Sequence, residues 1–280
     1  MGKAIYKPVG KAGEYAAWAC NYFLGCSNDC DYCYCKKGVL GTVAGGREPK
    51  LKKCFRDYTD AFETFVYELQ AKADIIRKEG GLFFSFSSDP FLPETTELTV
   101  MSVMFAAGMD VPCSLLTKCA AWLFDKNVVE SLLSVKDKVA IGFTLTGRDD
   151  LERGKTAGTN AERILAMKQL HEAGFKTFVS LEPVIDIEAS AKMLSESVDY
   201  CDLYKIGLLS GKREYKYPEL SRFVAFANAV CEEKHIPVYW KKSVLGVCMD
   251  ANKGKTCVGS DYSLFENGMK QSCENNLYER

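Results

Sequence analysis

Histidine is almost missing from this chain: His171 and His235 are the only two in 280 residues. That scarcity excludes chemistry built on imidazole, whether a hydrolase triad with a histidine base or a histidine-rich metal site. Long hydrophobic runs are missing too. No stretch approaches the roughly 18 apolar residues that a membrane span requires, so no membrane partner is expected. A surplus of one charge is the third absence. Lys+Arg 36 stands against Asp+Glu 37, a net charge of −1, which lacks the basic excess of a dedicated nucleic-acid-binding domain. Net charge therefore gives no support to nucleic acid as a partner. The opening Met-Gly-Lys-Ala-Ile-Tyr has no apolar signal segment, nor the Ser or Thr that an N-myristoylation signal needs at its sixth position.

Cysteine, by contrast, is abundant. Thirteen thiols, an odd number, with no secretory leader point to a reducing compartment in which they persist as ligands or free groups. A cytoplasmic protein is the expectation. The hydrophobic content of 47% supports a sizeable core.

From residue 16 onward the chain has a rhythm. Ala16 to Leu24 is apolar enough for a lead-in strand, and residues 36–56, with Gly38, Gly41, Gly45, Gly46 and Pro49, read as a long loop. Asp60 and Glu63 have capping-box form, with Phe62, Phe65, Leu69 and Ala73 on one helical face up to the Gly80-Gly81 stop. Apolar, β-rich runs follow at Leu82–Ser87, Pro112–Thr117, Val139–Thr146, Thr177–Leu181, Leu203–Leu209 and Ile236–Trp240, separated by helical patterns. The clearest helix starts at the Thr159/Glu162 capping box, carries Ile164, Met167 and Leu170 on one face, and closes at Gly174. Alternating strands and helices imply a parallel sheet, here of about seven strands. The predicted fold class is α/β, an open parallel (β/α)6-type partial TIM barrel over residues 1–245. Residues 246–280, polar and rich in Gly and Asn, are expected to form a loop-rich, cysteine-containing C-terminal cap.

Cys26, Cys30 and Cys33 stand in the spacing C-x3-C-x2-C, with Tyr32 before the third thiol. Thiolates are soft ligands suited to zinc, copper(I) or iron–sulfur clusters, and three on one turn can hold three corners of a cubane with the fourth iron open. This loop resembles that of the radical S-adenosylmethionine superfamily. The resemblance implies a [4Fe-4S] cluster on Cys26, Cys30 and Cys33 and S-adenosyl-L-methionine chelated by the fourth iron. It further implies reductive cleavage to a 5′-deoxyadenosyl radical and a one-electron donor of flavodoxin or ferredoxin type as partner. The substrate is unassigned. The rival reading is a non-catalytic zinc or iron–sulfur module for partner binding or redox sensing, with Cys35 or Cys20 as fourth ligand.

In parallel α/β barrels the functional groups gather at the C-terminal ends of the strands. Ser88, Lys118, Thr144, Thr146, Arg148, Glu182 and the Lys241-Lys242 pair fall there. Over roughly residues 20–245 the chain is similar to the spore photoproduct lyase-like group, through Cys33-Tyr34, Ser88-Asp89-Pro90 and Leu116-Thr117-Lys118. Ser180-Leu-Glu-Pro and Pro237-Val-Tyr-Trp-Lys resemble a phage-associated radical enzyme family. Carried over, Tyr32 would touch the adenine, Ser88 and Lys118 would hold the nucleoside or carboxylate of the cofactor, and Thr144 or Thr146 would reach the ribose. Arg148, Glu182 and the Lys241-Lys242 pair join them as candidates for cofactor or substrate contact. The photoproduct lyases place a hydrogen-donating cysteine where this chain has Phe86, so thymine-dimer repair is not expected. A replacement thiol would have to be Cys35, Cys119 or one of the tail.

Cys248, Cys257 and Cys273 are candidates for a hydrogen-donating thiol or an auxiliary iron–sulfur cluster, and Cys248, Cys257 and Glu182 for catalytic roles. Two Gly-Lys-Thr triplets, at Gly154 and Gly254, lack the glycine five positions upstream and are not phosphate loops.

Overall fold

The computed structural model describes residues 3–211 and 215–265. Its strands are β1 (Ile5–Tyr6), β2 (Trp18–Cys20), β3 (Phe23–Leu24), β4 (Lys50–Leu51), β5 (Leu82–Phe84), β6 (Cys113–Thr117), β7 (Val139–Thr144), β8 (Lys176–Val184), β9 (Tyr204–Leu208) and β10 (Val238–Trp240). The α-helices are α1 (Gly38–Val43), α2 (Tyr58–Gln70), α3 (Ala73–Lys78), α4 (Thr96–Gly108), α5 (Lys126–Leu133), α6 (Asn160–Glu172), α7 (Ile187–Ser197), α8 (Tyr217–Glu233) and α9 (Lys242–Leu245).

Eight strands form one sheet in the order β1-β2-β5-β6-β7-β8-β9-β10. Only β1 is antiparallel, to β2; every later pair is parallel. The order never reverses, and right-handed crossovers then put the connecting helices on one face. Accordingly α2 touches α4, α4 touches α5, α6 touches α7 and α7 touches α8.

The period of two along each strand sorts side chains between two apolar clusters. Val139, Ile141 and Phe143 of β7, with Leu115 of β6 and Ile206 of β9, belong to the large core under the helices. Ala140, Ala19, Phe83, Phe178 and Leu203 form a smaller cluster on the other face, covered by Tyr6, Tyr15 and Ala16 from the start of the chain and by Val258, Leu264 and Phe265. Gly142 lies in that second face because a Cβ there would fall 2.3 Å from the Phe178 ring.

Four sequence expectations are corrected. The first long helix is capped by Asp57, whose carboxylate accepts from the Asp60 amide, not by Asp60 itself, and it ends at Gln70 before a separate short α3. Residues 36–56 contain α1 and the β4 strand that pairs with β3, because Phe23 and Leu24 find backbone partners in Leu51 and Lys50. The sheet gains the antiparallel β1 through the pairing of Ile5 and Tyr6 with Cys20 and Ala19, in a stretch too polar to announce it. Finally, β8 continues to Val184, past the expected end, with an irregular register between Leu181 and Val184. The Thr159/Glu162 capping box is present with both of its hydrogen bonds, and Gly174 takes φ +89° at the end of α6. Among the described residues, no helix is long and apolar enough to cross a membrane.

Candidate functional site

A cavity of about 610 Å³ opens at the C-terminal ends of the parallel strands. Cys26, Cys30 and Cys33 line one wall together with Tyr32, Ser88, Lys118 and Thr144; Tyr15, Ser180, Glu182 and Lys241 line the opposite end. Phe83, Phe86, Leu24 and Leu116 contribute apolar surface between them.

The three-cysteine turn is held by close backbone approaches. Gly25 has φ +90°, and a Cβ there would stand 2.3 Å from the Glu48 carbonyl oxygen; the Cys26 amide donates to the Gly46 carbonyl at 3.0 Å. From the other side the segment after β7 clasps the turn. Gly154 donates to the Asn28 carbonyl at 3.0 Å, the Asp31 amide donates to Leu151 O at 2.9 Å, and a Cβ on Gly154 would meet the Ser27 carbonyl oxygen at 2.0 Å. Thr156 Oγ1 donates to Asn28 Oδ1 at 2.9 Å. The first Gly-Lys-Thr triplet thus fastens the cysteine turn.

Asp89 ties that turn to the sheet. Its buried carboxylate accepts from Asn28 Nδ2 at 2.8 Å, Thr117 Oγ1 at 2.6 Å, the Lys118 amide at 2.8 Å and the Phe91 amide at 3.0 Å. A carboxylate with four donors is fully satisfied, so in the Ser-Asp pair Asp89 is the strut. Ser88 differs. Its hydroxyl is buried, lines the cavity and has no hydrogen-bond partner among the described residues. Buried polar atoms are nearly always paired, so the Ser88 hydroxyl is free to meet a polar group in the cavity.

The thiols are unequal. Burial pushes Cys26 up to about 12 and also raises Cys30. Cys33 is lowered to about 6, first by a hydrogen bond from Cys35, whose own thiol is correspondingly raised. Among the described residues no three His, Cys, Asp or Glu side chains converge closely enough to hold an ion. The donor set nevertheless suits a thiolate-bound group: three soft ligands on one wall of a cavity, with the lysine Lys118 beside Cys30 and Cys33.

Beneath Lys118 lies a buried ion pair that sequence reasoning missed. Arg163 Nη2 stands 2.6 Å from Glu152 Oε2, with both side chains essentially inaccessible, and the guanidinium also donates to the carbonyls of Thr144 at 2.9 Å and Lys118 at 3.1 Å. The Tyr32 hydroxyl donates to Glu152, and Lys118 Nζ sits 5.5 Å from the Tyr32 ring centroid. One signal was available. Arg163 precedes Met167 and Leu170 by four and seven positions, so it lies on the buried face of α6.

Three predicted contacts, Thr146, Arg148 and Lys242, are not brought to the cavity lining. Thr146 is fully buried and donates to Glu152 Oε1 at 3.3 Å, so its hydroxyl supports the ion pair instead. Arg148 makes a two-pronged pair with Asp150, both contacts at 2.8 Å, and does not line the cavity. Cys248 and Cys257 are buried in the helix-side core, also outside the lining, because Cys257 bridges to Val238 in β10 and α9 carries the chain to Cys248. Cys119 is buried there as well, whereas Cys35 lines the cavity; Cys273 lies outside the described residues. Phe86 stacks on Phe83 with ring centroids 4.6 Å apart.

At the far end, Tyr15 from the N-terminal segment donates to Glu182 Oε2 at 2.7 Å and shares a 2.6 Å hydrogen bond with Ser180 Oγ. Lys241 Nζ is 2.6 Å from the same Glu182 oxygen and 4.0 Å from the Tyr15 ring centroid. Gly207 makes room, since a Cβ on it would press against both Lys241 and Glu182 at under 3 Å. Tyr15 lies in a polar stretch without periodicity, so the sequence carried no sign of it.

No family model matches the chain. It is 22% identical over 260 residues to the uncharacterized protein MJ0683 of Methanocaldococcus jannaschii, a match covering 84% of this chain and 91% of that protein. Among solved structures it is similar to Streptococcus suis SuiB bound to S-adenosylmethionine, with a TM-score of 0.47, 12% identity and coverage of 65% of this chain. It spans 43% of that longer chain.

Proposed function

We propose that this chain is a radical S-adenosylmethionine enzyme built on an open parallel barrel, with Cys26, Cys30 and Cys33 as ligands of a [4Fe-4S] cluster. One observation carries the reading. The three thiols of the C-x3-C-x2-C turn share a cavity wall with Lys118, Thr144 and a Ser88 hydroxyl that is unpartnered among the described residues, polar groups delivered by three consecutive strands.

When bound, the cluster with S-adenosyl-L-methionine supplies an adenosyl radical, using an electron from a flavodoxin- or ferredoxin-like donor in the cytoplasm. The chain's own residues bind, orient and shield. Ser88 and Lys118 hold the polar groups of the cofactor, Thr144 its ribose, and the Tyr32 ring the adenine, held in place by its hydroxyl on Glu152. The apolar middle, Phe83, Phe86 and Leu116, excludes water from the reacting centre. Phe86 has no hydrogen atom to give as a thiol would, so the reaction differs from thymine-dimer repair. Cys35 is the cavity thiol that remains among the described residues.

Anaerobically reconstituted protein should be brown and, once reduced, should release 5′-deoxyadenosine and methionine from S-adenosylmethionine. Cys30→Ala should lose iron and cleavage together. A colourless zinc protein, or full cleavage by that variant, overturns the reading.

A further inference from the structure

Around the end of the cavity farthest from the cysteines, lysines outnumber carboxylates among the described residues. Three ammonium groups gather there: Lys11, Lys205 and Lys241. Two carboxylates answer them. Glu182 pairs with Lys241, and Glu14, which is buried, accepts from the Lys242 amide at 2.8 Å and from Tyr239 Oη at 3.1 Å. When Lys205 is protonated, one positive charge is therefore left over among these residues.

Lys205 makes the imbalance costly. It is 7% exposed, it points from β9 into the second face beneath Tyr15, and its ammonium donates to the Tyr15 carbonyl at 2.8 Å with no carboxylate partner among the described residues. Burial, with Lys241 adding repulsion, lowers it to about 7. A buried ammonium without a counter-ion is unfavourable, and an anion nearby relieves it.

The cavity surface above this charge carries donors. Lys11 Nζ stands 2.8 Å from Ser210 Oγ, and Lys241 Nζ donates to the Lys11 carbonyl at 3.2 Å besides its pair with Glu182. Lys11, Ser210 and Lys241 all line the cavity. An oxyanion at this place meets two ammonium groups and a hydroxyl beside the Lys241-paired Glu182 carboxylate.

We propose that this end is a subsite for an anionic oxygen group of the substrate, a phosphate or a carboxylate, received by Lys11, Lys241 and Ser210. The inference rests on the reading that the cysteine end holds the cluster and the cofactor. It assigns the substrate to the β8–β10 side and makes it an anion.

The test is calorimetric titration of the full-length protein with inorganic phosphate and, separately, malonate, each to about 10 mM, in the range where a millimolar site is measurable. One saturable site is expected. Lys11→Gln, at an exposed side chain, should weaken it about tenfold, the scale of a lost charge-assisted hydrogen bond. Lys241→Met should abolish it. S-adenosylmethionine affinity should stay unchanged in Lys11→Gln, and anion binding should survive in Cys30→Ala, which separates this subsite from the cluster. Saturation by phosphate alone assigns a phosphorylated substrate, and by malonate alone a carboxylate. No saturation by either anion, or equal affinity in Lys11→Gln, refutes the subsite while leaving the cluster reading intact.

Discussion

The two faces of the sheet are made of the same strands and do opposite work. Under the helices the inward positions are predominantly apolar, from Leu82 and Leu115 through Ile141 and Leu181 to Ile206, and the buried Thr117 and Thr177 there are hydrogen-bonded to Asp89 and the Tyr200 carbonyl. The other face is apolar only at its base, where Ala19, Phe83, Ala140, Phe178 and Leu203 meet. Two residues further along, toward the strand ends, the same face carries Ser180, Lys205 and, one strand over, Lys241, all buried. Burying apolar area contributes roughly 25 cal/mol per Å², whereas buried polar groups cost unless paired. The helix face therefore stabilises, and the second face bears groups retained at some expense to stability. On this second face the residues that disobey the apolar rule are the ones beside the proposed ligand sites.

Variants can break this division. The largest loss of stability is expected from Arg163→Met, which leaves Glu152 as an unpaired buried charge; about 3–5 kcal/mol should disappear from the denaturant unfolding free energy. Tyr32 and the Thr144 and Lys118 carbonyls lose their anchor with it, so S-adenosylmethionine affinity should fall as well. An unchanged midpoint would show that the ion pair contributes nothing.

Leu115→Ala comes next, at about 2–5 kcal/mol for a fully buried leucine. Because Leu115 sits on the helix face, reconstituted iron per folded molecule should be unchanged. A drop in iron content would mean that the two faces are not separable.

Gly154→Ala tests the opposite case. Its methyl group would collide with the Ser27 carbonyl, an overpacking worth about 1–3 kcal/mol. The displaced element is the cysteine turn, so iron binding should suffer more than stability. Wild-type iron content in this variant would contradict the clasp.

The smallest effect is a pH slope. Lys205 in the folded chain sits at about 7 against an ordinary 10.5, with Lys241 and Tyr15 facing it. Between those values the unfolded chain holds a proton that the folded chain lacks, so this group makes stability rise with pH across that window. Lys205→Met should accordingly gain more stability over wild type at about pH 6 than at about pH 9 in paired denaturant titrations. Equal gains at both pH values count against an uncompensated ammonium.

Where local pattern is strong, the chain's own order of residues was sufficient. The six later strands sit where β-branched and aromatic runs lie, the capping box at Thr159 starts α6, and the C-x3-C-x2-C turn is a local chemical pattern that needs no tertiary partner to be noticed. Short elements were not legible. Strands of two residues such as β1 and β3 have no period of their own and exist only because Cys20 and Leu51 offer backbone partners.

The site divides in the same way. Ser88, Lys118, Thr144 and Glu182 could be named from strand ends because parallel strands share one polarity, which forces their termini to one side. Nothing local shows that Arg148 turns to Asp150, that Thr146 turns to Glu152, or that Tyr15 crosses to Glu182 over a sequence separation of 167 residues. A side chain's partner is set by whichever donor or acceptor the fold brings within about 3 Å. Backbone pattern is read within a few residues, whereas the pairing of buried charge is decided only when distant strands are laid side by side.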